Sequence, residues 1–84
     1  MYKIINKEEL AQDTFLVELE APRIAKAALP GQFVMVKTDE KAERIPLTIG
    51  DTDLDKGTIT LVIKTIGYST RKMVNFEIGQ SYLN

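Results

Sequence analysis

The sequence predicts an all-β fold: a six-stranded antiparallel Greek-key barrel with one short capping helix. Three observations carry this prediction. Apolar residues recur with period two over most of the chain. The alternating runs are short and separated by turn residues, which suits a barrel whose closure removes exposed edges. The period breaks once, late in the chain, at Gly67-Tyr68-Ser69-Thr70-Arg71-Lys72-Met73-Val74.

Each element follows from its residues. Tyr2 to Lys7 forms a first strand ending at the Glu8-Glu9 pair. From Thr14 to Glu20, Phe15, Val17 and Leu19 face one way and Leu16, Glu18 and Glu20 the other. Pro22 stops that strand because it has no ladder donor. Residues 23–29 are too few for a stable isolated helix and read as a loop with one irregular turn. Pro30-Gly31 is a turn, and Phe33 to Val36 reads as a short buried strand.

A polar connection, Lys37 to Arg44, leads to a strand over Ile45 to Ile49, where Pro46 demands an edge or a bulge. Gly50 to Gly57, with three aspartates and two glycines, reads as a loop. Thr58 to Lys64 is the clearest strand: Ile59, Leu61 and Ile63 alternate with Thr58, Thr60, Val62 and Lys64. Ser69 or Thr70 then caps one or two helical turns. Ile78-Gly79 turns the chain into a sixth strand beginning at Ser81.

Length and composition bound the function. Eighty-four residues make one domain with a thin core, so a ligand bound by the folded form adds usefully to stability. Eleven basic and twelve acidic residues leave a net charge of −1, which argues against nucleic acid as a partner. No apolar run approaches the roughly 20 residues of a membrane span, and the start lacks a signal-peptide core. A cytoplasmic location is expected. The chain has no Cys and no His, so thiol chemistry, a Ser-His-Asp triad and zinc hydrolysis within it are excluded. Chemistry here must come from a cofactor or partner.

Two stretches could hold such a cofactor. In Arg44-Ile45-Pro46-Leu47-Thr48, the guanidinium can grip a phosphate and the threonine hydroxyl can donate to a ring nitrogen. Pro46 and Leu47 offer apolar backing to a flat ring. In Gly67-Tyr68-Ser69-Thr70, glycine permits close backbone approach, while amides at a helix start and two hydroxyls can bind phosphate. Taken singly, the first better describes a solvated arginine beside Glu43, and the second describes an ordinary helix cap equally well. Their order, with Val62, Ile63 and Lys64 between them, suits a dinucleotide. Pro30-Gly31-Gln32-Phe33 is a structural turn.

Together these stretches resemble the flavin-binding domain of the ferredoxin–NADP reductase superfamily. The resemblance points to the branch holding the ferredoxin-NADP reductase α subunit (also called a sulfide dehydrogenase subunit) and the dihydroorotate dehydrogenase electron-transfer subunit. It rests on Pro30 to Val36, Glu43 to Ile49 and Gly67 to Met73, in that order. It implies FAD as cofactor, with Arg44, Pro46, Leu47 and Thr48 against the flavin and Thr48 near its redox-active nitrogen. Val62, Ile63 and Lys64 would flank the ring; Gly67, Ser69 and Thr70 would hold the pyrophosphate. Leu47 stands where the wider superfamily has an aromatic, which removes ring stacking from one flavin face.

Residues 1–84 would then be an FAD-binding barrel at the front of a longer oxidoreductase, inactive alone. The expected partners are a C-terminal nicotinamide-binding domain and a catalytic subunit. The NAD(P) site and a cysteine-ligated iron–sulfur cluster are expected in those missing parts. The whole would move electrons between NAD(P)H and an iron–sulfur or ferredoxin partner. The competing reading is a free-standing barrel that binds a protein or another ligand without flavin.

Overall fold

The computed structural model describes residues 1–84. In chain order the elements are β1 (Tyr2–Ala11), β2 (Thr14–Glu20), α1 (Pro22–Ala27), β3 (Phe33–Val36), β4 (Ile45–Asp53), β5 (Thr58–Lys64), α2 (Tyr68–Val74) and β6 (Ser81–Tyr82). The strands form one six-stranded antiparallel sheet in the order β3-β4-β5-β2-β1-β6. Its two ends meet just beyond β3 and β6. There Lys37 and Leu83 exchange two backbone hydrogen bonds of 2.8 Å, bringing the barrel to near closure.

The inward rows are those the alternation marks. Val17 and Leu19 of β2, Leu47 and Ile49 of β4, and Ile59, Leu61 and Ile63 of β5 all lie in a core of 15 buried apolar residues. Phe15 is only partly buried and packs against that cluster.

Helix α2 plugs one end of the barrel with Met73 and Val74. Its C-terminal end is tied down by polar bonds. The buried Tyr82 hydroxyl donates to the Met73 carbonyl at 2.7 Å, and the Lys7 ammonium donates to the carbonyls of Val74 (3.0 Å) and Phe76 (2.9 Å). These satisfy carbonyls that a helix end leaves without intrahelical partners. The opposite end of α2 stands free at the rim.

Four local expectations change. Strand β1 continues past Glu8-Glu9 to Ala11, because a hairpin with β2 pairs Glu9 with Phe15 and Ala11 with Thr14. Residues 22–27 are helical rather than loop: Pro22 ends β2 and then occupies the first helical turn, where no amide is needed. Burial of Ala25 and packing of Ile24 on the core supply what a six-residue helix lacks by itself. Strand β3 is buried on one face only, since Val34 and Val36 point inward while Phe33 is 66% exposed. Strand β4 runs through Gly50 to Asp53, so only residues 54–57 form the turn. Pairing with Thr58–Leu61 overrides the polar composition there, and a bulge at Gly50 absorbs the extra residue.

Gly57 closes this β4–β5 turn at φ +69°, and its carbonyl accepts from the Ala21 amide at 2.9 Å. A Cβ there would lie 3.1 Å from the Pro22 Cβ. Gly57→Ala combines a left-handed backbone with that contact, so it should lose at least about 1–2 kcal/mol. The urea midpoint reads this directly; an unchanged midpoint would show that the turn is not strained by a side chain.

Candidate functional site

Pairing along β4 changes partner halfway. Ile45 to Thr48 pair with Val36 to Phe33 of β3, whereas the ladder with β5 begins only at Ile49↔Leu61. Across from Ile45–Thr48, residues Val62, Ile63 and Lys64 pair only with β2. The barrel wall therefore has an open seam between the first half of β4 and the last half of β5.

The direction of the backbone groups at this seam follows from neighbouring bonds. The Ile49 amide donates to Gln32 O at 2.7 Å and its carbonyl accepts from Gly31 at 2.9 Å, so both face the β3 side. Alternation turns the N–H and C=O of Thr48 towards β5. On the other strand, the Thr65 amide donates to Asp13 O at 2.9 Å, which turns the amides of Lys64 and Val62 towards β4. Pro46 lies on the half of β4 that has a neighbour on one side only, as a residue without a donor requires.

Side chains alternate about the same strands. Pro46, Thr48, Val62 and Lys64 point outward, and Val62 is 44% exposed. Leu47 and Ile63 point into the core, and the same alternation turns their backbone groups to β3 and β2, so neither residue reaches the seam. Residue 47 thus supplies no side-chain backing to a ring. The outer face is extended instead by Phe33 beside Thr48 and Met35 beside Pro46. Sequence reasoning missed both: a run of four apolar residues gives no alternation from which to read two different faces.

At its end the seam opens into a groove of about 290 Å³. Glu43 and Ile45 form one side, and residues 66–70 the other. The β4 entry and the α2 corner therefore face each other across one groove.

The α2 corner is built by Thr70. Its Oγ1 accepts from the amides of Ile66 and Gly67, each at 3.1 Å, and donates to Gly67 O at 3.1 Å. Gly67 is the N-cap, so the cap comes from Thr70 reaching back, and Ser69 has no part in it. The Gly67 amide and the Thr70 hydroxyl are consequently committed to each other. What stays open is the first turn of the helix: the amides of Tyr68, Ser69 and Thr70 have no acceptor, and the Ser69 hydroxyl stands beside them.

Arg44 does not line this groove; its neighbours Glu43 and Ile45 do. It is exposed, and its guanidinium donates to the Asn84 carbonyl at 3.3 Å. Lys72 is engaged differently. Its ammonium lies 2.7 Å from an Asp39 carboxylate oxygen, tying the 38–43 segment to α2. The hydrogen bond from Lys72, helped by the Lys41 amide, holds Asp39 below its ordinary carboxylate range, and Asp39 in turn raises Lys72.

The fold and its open seam place the chain among small antiparallel barrels that present a groove beside one capping helix. No family model matches it. A Clostridium beijerinckii protein known as an uncharacterized protein in the adh 3′ region is 53% identical over 79 residues, covering 94% of this chain and 27% of that protein. The Thermotoga maritima homolog of the dihydroorotate dehydrogenase B (NAD(+)) electron transfer subunit is 37% identical, covering 98% of this chain and 29% of the relative. A solved NADH-dependent reduced ferredoxin-NADP oxidoreductase, studied for flavin-based electron bifurcation, superposes with a TM-score of 0.96 at 36% identity. That match covers 100% of this chain and 30% of the other.

In sequence and in fold the chain is similar to the ferredoxin–NADP reductase-like proteins that include the dihydroorotate dehydrogenase B electron-transfer subunits. It spans less than a third of the length of these relatives. No helix in it is long and apolar enough to cross a membrane.

Proposed function

We propose that this chain is the FAD-holding barrel of a cytoplasmic electron-transfer oxidoreductase working between NAD(P)H and an iron–sulfur or ferredoxin partner. The single observation that supports it best is the open seam. Two strand edges with unpaired polar groups, flanked outside by Pro46, Thr48, Val62 and Lys64, suit a flat ring with one polar edge.

The donor set fits the rest of the group. The open amides of Tyr68, Ser69 and Thr70 and the Ser69 hydroxyl would hold a pyrophosphate. Thr48 would donate to a ring nitrogen, and the backbone of Thr48, Val62 and Lys64 would meet the ring's polar edge. When bound, the flavin supplies the exchange between hydride transfer and single-electron transfer. The protein's part is positional and electrostatic: fixed donors at the ring favour the charge gained on reduction. The nicotinamide site and the iron–sulfur cluster belong to the remainder of a longer protein or to a partner subunit, and the barrel alone is inactive.

Purified protein should be yellow, with a flavin absorbance band. FAD at 100 times its dissociation constant adds about 2.7 kcal/mol, which raises the melting temperature of a domain this size by roughly 10–20 °C. Colourless protein with no thermal shift on adding FAD would overturn the proposal and favour a partner-binding barrel.

Arg44→Ala should weaken FAD binding more than Lys72→Ala. The Lys72 charge is already matched by Asp39 at 2.7 Å, whereas Arg44 has only a carbonyl at 3.3 Å and keeps its charge available for phosphate. Equal losses for the two variants in a calorimetric titration would remove Arg44 from the site.

A further inference from the structure

Lys7 stands in an inward row of the barrel, where period two would place an apolar side chain. Unshifted alternation from the buried Ile4 would turn residue 6 inward and residue 7 out. A register shift between Ile4 and Asn6 reverses this, so that Ile4 pairs with Leu19 and Lys7 with Val17. Leu19 and Val17 are fully buried, and residues directly opposite each other share a face. Lys7 is therefore half-buried, and its ammonium reaches beneath α2 to the carbonyls of Val74 and Phe76. A charge in such a row is costly unless hydrogen-bonded, and these two acceptors at the helix end offset that cost.

Resting on the flavin reading above, we propose that Lys7 is a positioning residue for the phosphate-holding corner, acting through the opposite end of α2. The helix is a short rod of seven residues, about 10 Å long. No hydrogen bond joins its residues 68–70 to a strand; those of Thr70 stay within the corner. The apolar contacts of Met73 and Val74 set how deeply the rod sits, but such contacts are non-directional and leave its rotation and tilt free. Directed bonds from one ammonium to two carbonyls, with the Tyr82 hydroxyl on a third, fix both. The open amides at the far end of the rod take their aim from this tether, although Lys7 itself meets no ligand.

Calorimetric titration with FAD, FMN and riboflavin, which has the ring but no phosphate, tests this. Lys7→Met keeps the apolar stem and removes the ammonium. It should weaken FAD and FMN by about fivefold and leave riboflavin within about twofold. Lys7→Arg, whose guanidinium can donate to both carbonyls, should keep all three affinities near those of the parent. If Lys7→Met weakens the three ligands in equal proportion, or none of them, the positioning role is overturned while the flavin reading stands. A Lys7→Met chain that far-UV circular dichroism shows to be unfolded also overturns it, making Lys7 a folding residue. If the parent binds none of the three, both readings are overturned.

Discussion

Gly67→Val is expected to leave the barrel folded and to reduce FAD affinity by more than about tenfold, the largest functional effect of any single change here. The fold itself does not require glycine at this position. Gly67 sits at φ −161°, extended backbone open to any residue. A Cβ built there meets nothing within 4 Å. Valine is a poorer N-cap than glycine, so stability should fall by only about 1 kcal/mol. Outside the fold the reckoning differs. Gly67 lies in the groove wall between Ile66 and the open amides of 68–70, where a branched side chain would hold a phosphate away from its donors. Two measurements separate the cases, the urea midpoint and the calorimetric affinity. An unchanged affinity would remove the α2 corner from the site. A midpoint lowered by more than that cap loss would make Gly67 a folding residue instead.

Tyr82→Ala is expected to have the largest effect on stability. Its side chain is fully buried, its ring lies 5.3 Å from that of Phe76, and its hydroxyl holds the Met73 carbonyl. Emptying such a site costs about 3–5 kcal/mol. A domain of this size has roughly 4–13 kcal/mol in total, so the change removes a large share of it and, at the low end of that range, unfolds much of the population at 37 °C. Tyr82→Phe isolates the polar part: the Met73 carbonyl loses the hydroxyl but keeps the Phe76 amide at 3.2 Å, so the cost is that of one hydrogen bond, about 0.5–1.5 kcal/mol.

The phenol also gives a signature in pH. Burial pushes Tyr82 well above its ordinary value of 10.0. The folded protein therefore keeps a proton that the unfolded chain releases above about pH 10. Stability from this source is complete below pH 10 and declines as pH rises beyond it. Urea midpoints from pH 7 to 11 should fall in the parent and stay flatter in Tyr82→Phe. Parallel curves would assign the alkaline loss to another group.

Legibility in the sequence followed physical rules that differ along the chain. Strand β5 was readable in full because Ile59, Leu61 and Ile63 alternate without exception, and each is buried. The 50–53 segment was not. Its aspartates and glycine signal a loop, and only pairing with Thr58–Leu61, remote from local preference, makes it strand. Helix α1 was hidden because six residues cannot be helical alone; the core contacts of Ile24 and Ala25 are tertiary facts. At the site, the order of Arg44–Thr48, Val62–Lys64 and Gly67–Thr70 pointed to neighbouring edges. The seam did not show, because ladder pairing lies outside any single segment. The commitment of the Thr70 hydroxyl to Gly67, and of Arg44 to Asn84, likewise depends on partners no local window contains.

The unzipped stretch between β4 and β5 has a consequence for solubility. Two bare strand edges invite a strand from a neighbouring molecule to add on, the first step of self-association. Pro46 on one edge and Lys64 on the other are residue types that discourage such addition, the first by lacking a donor and the second by its charge. A bound occupant would mask the same edges, so the ligand-free protein is the form that should aggregate at high concentration. Replacing Lys64 by an apolar residue would bring that threshold lower.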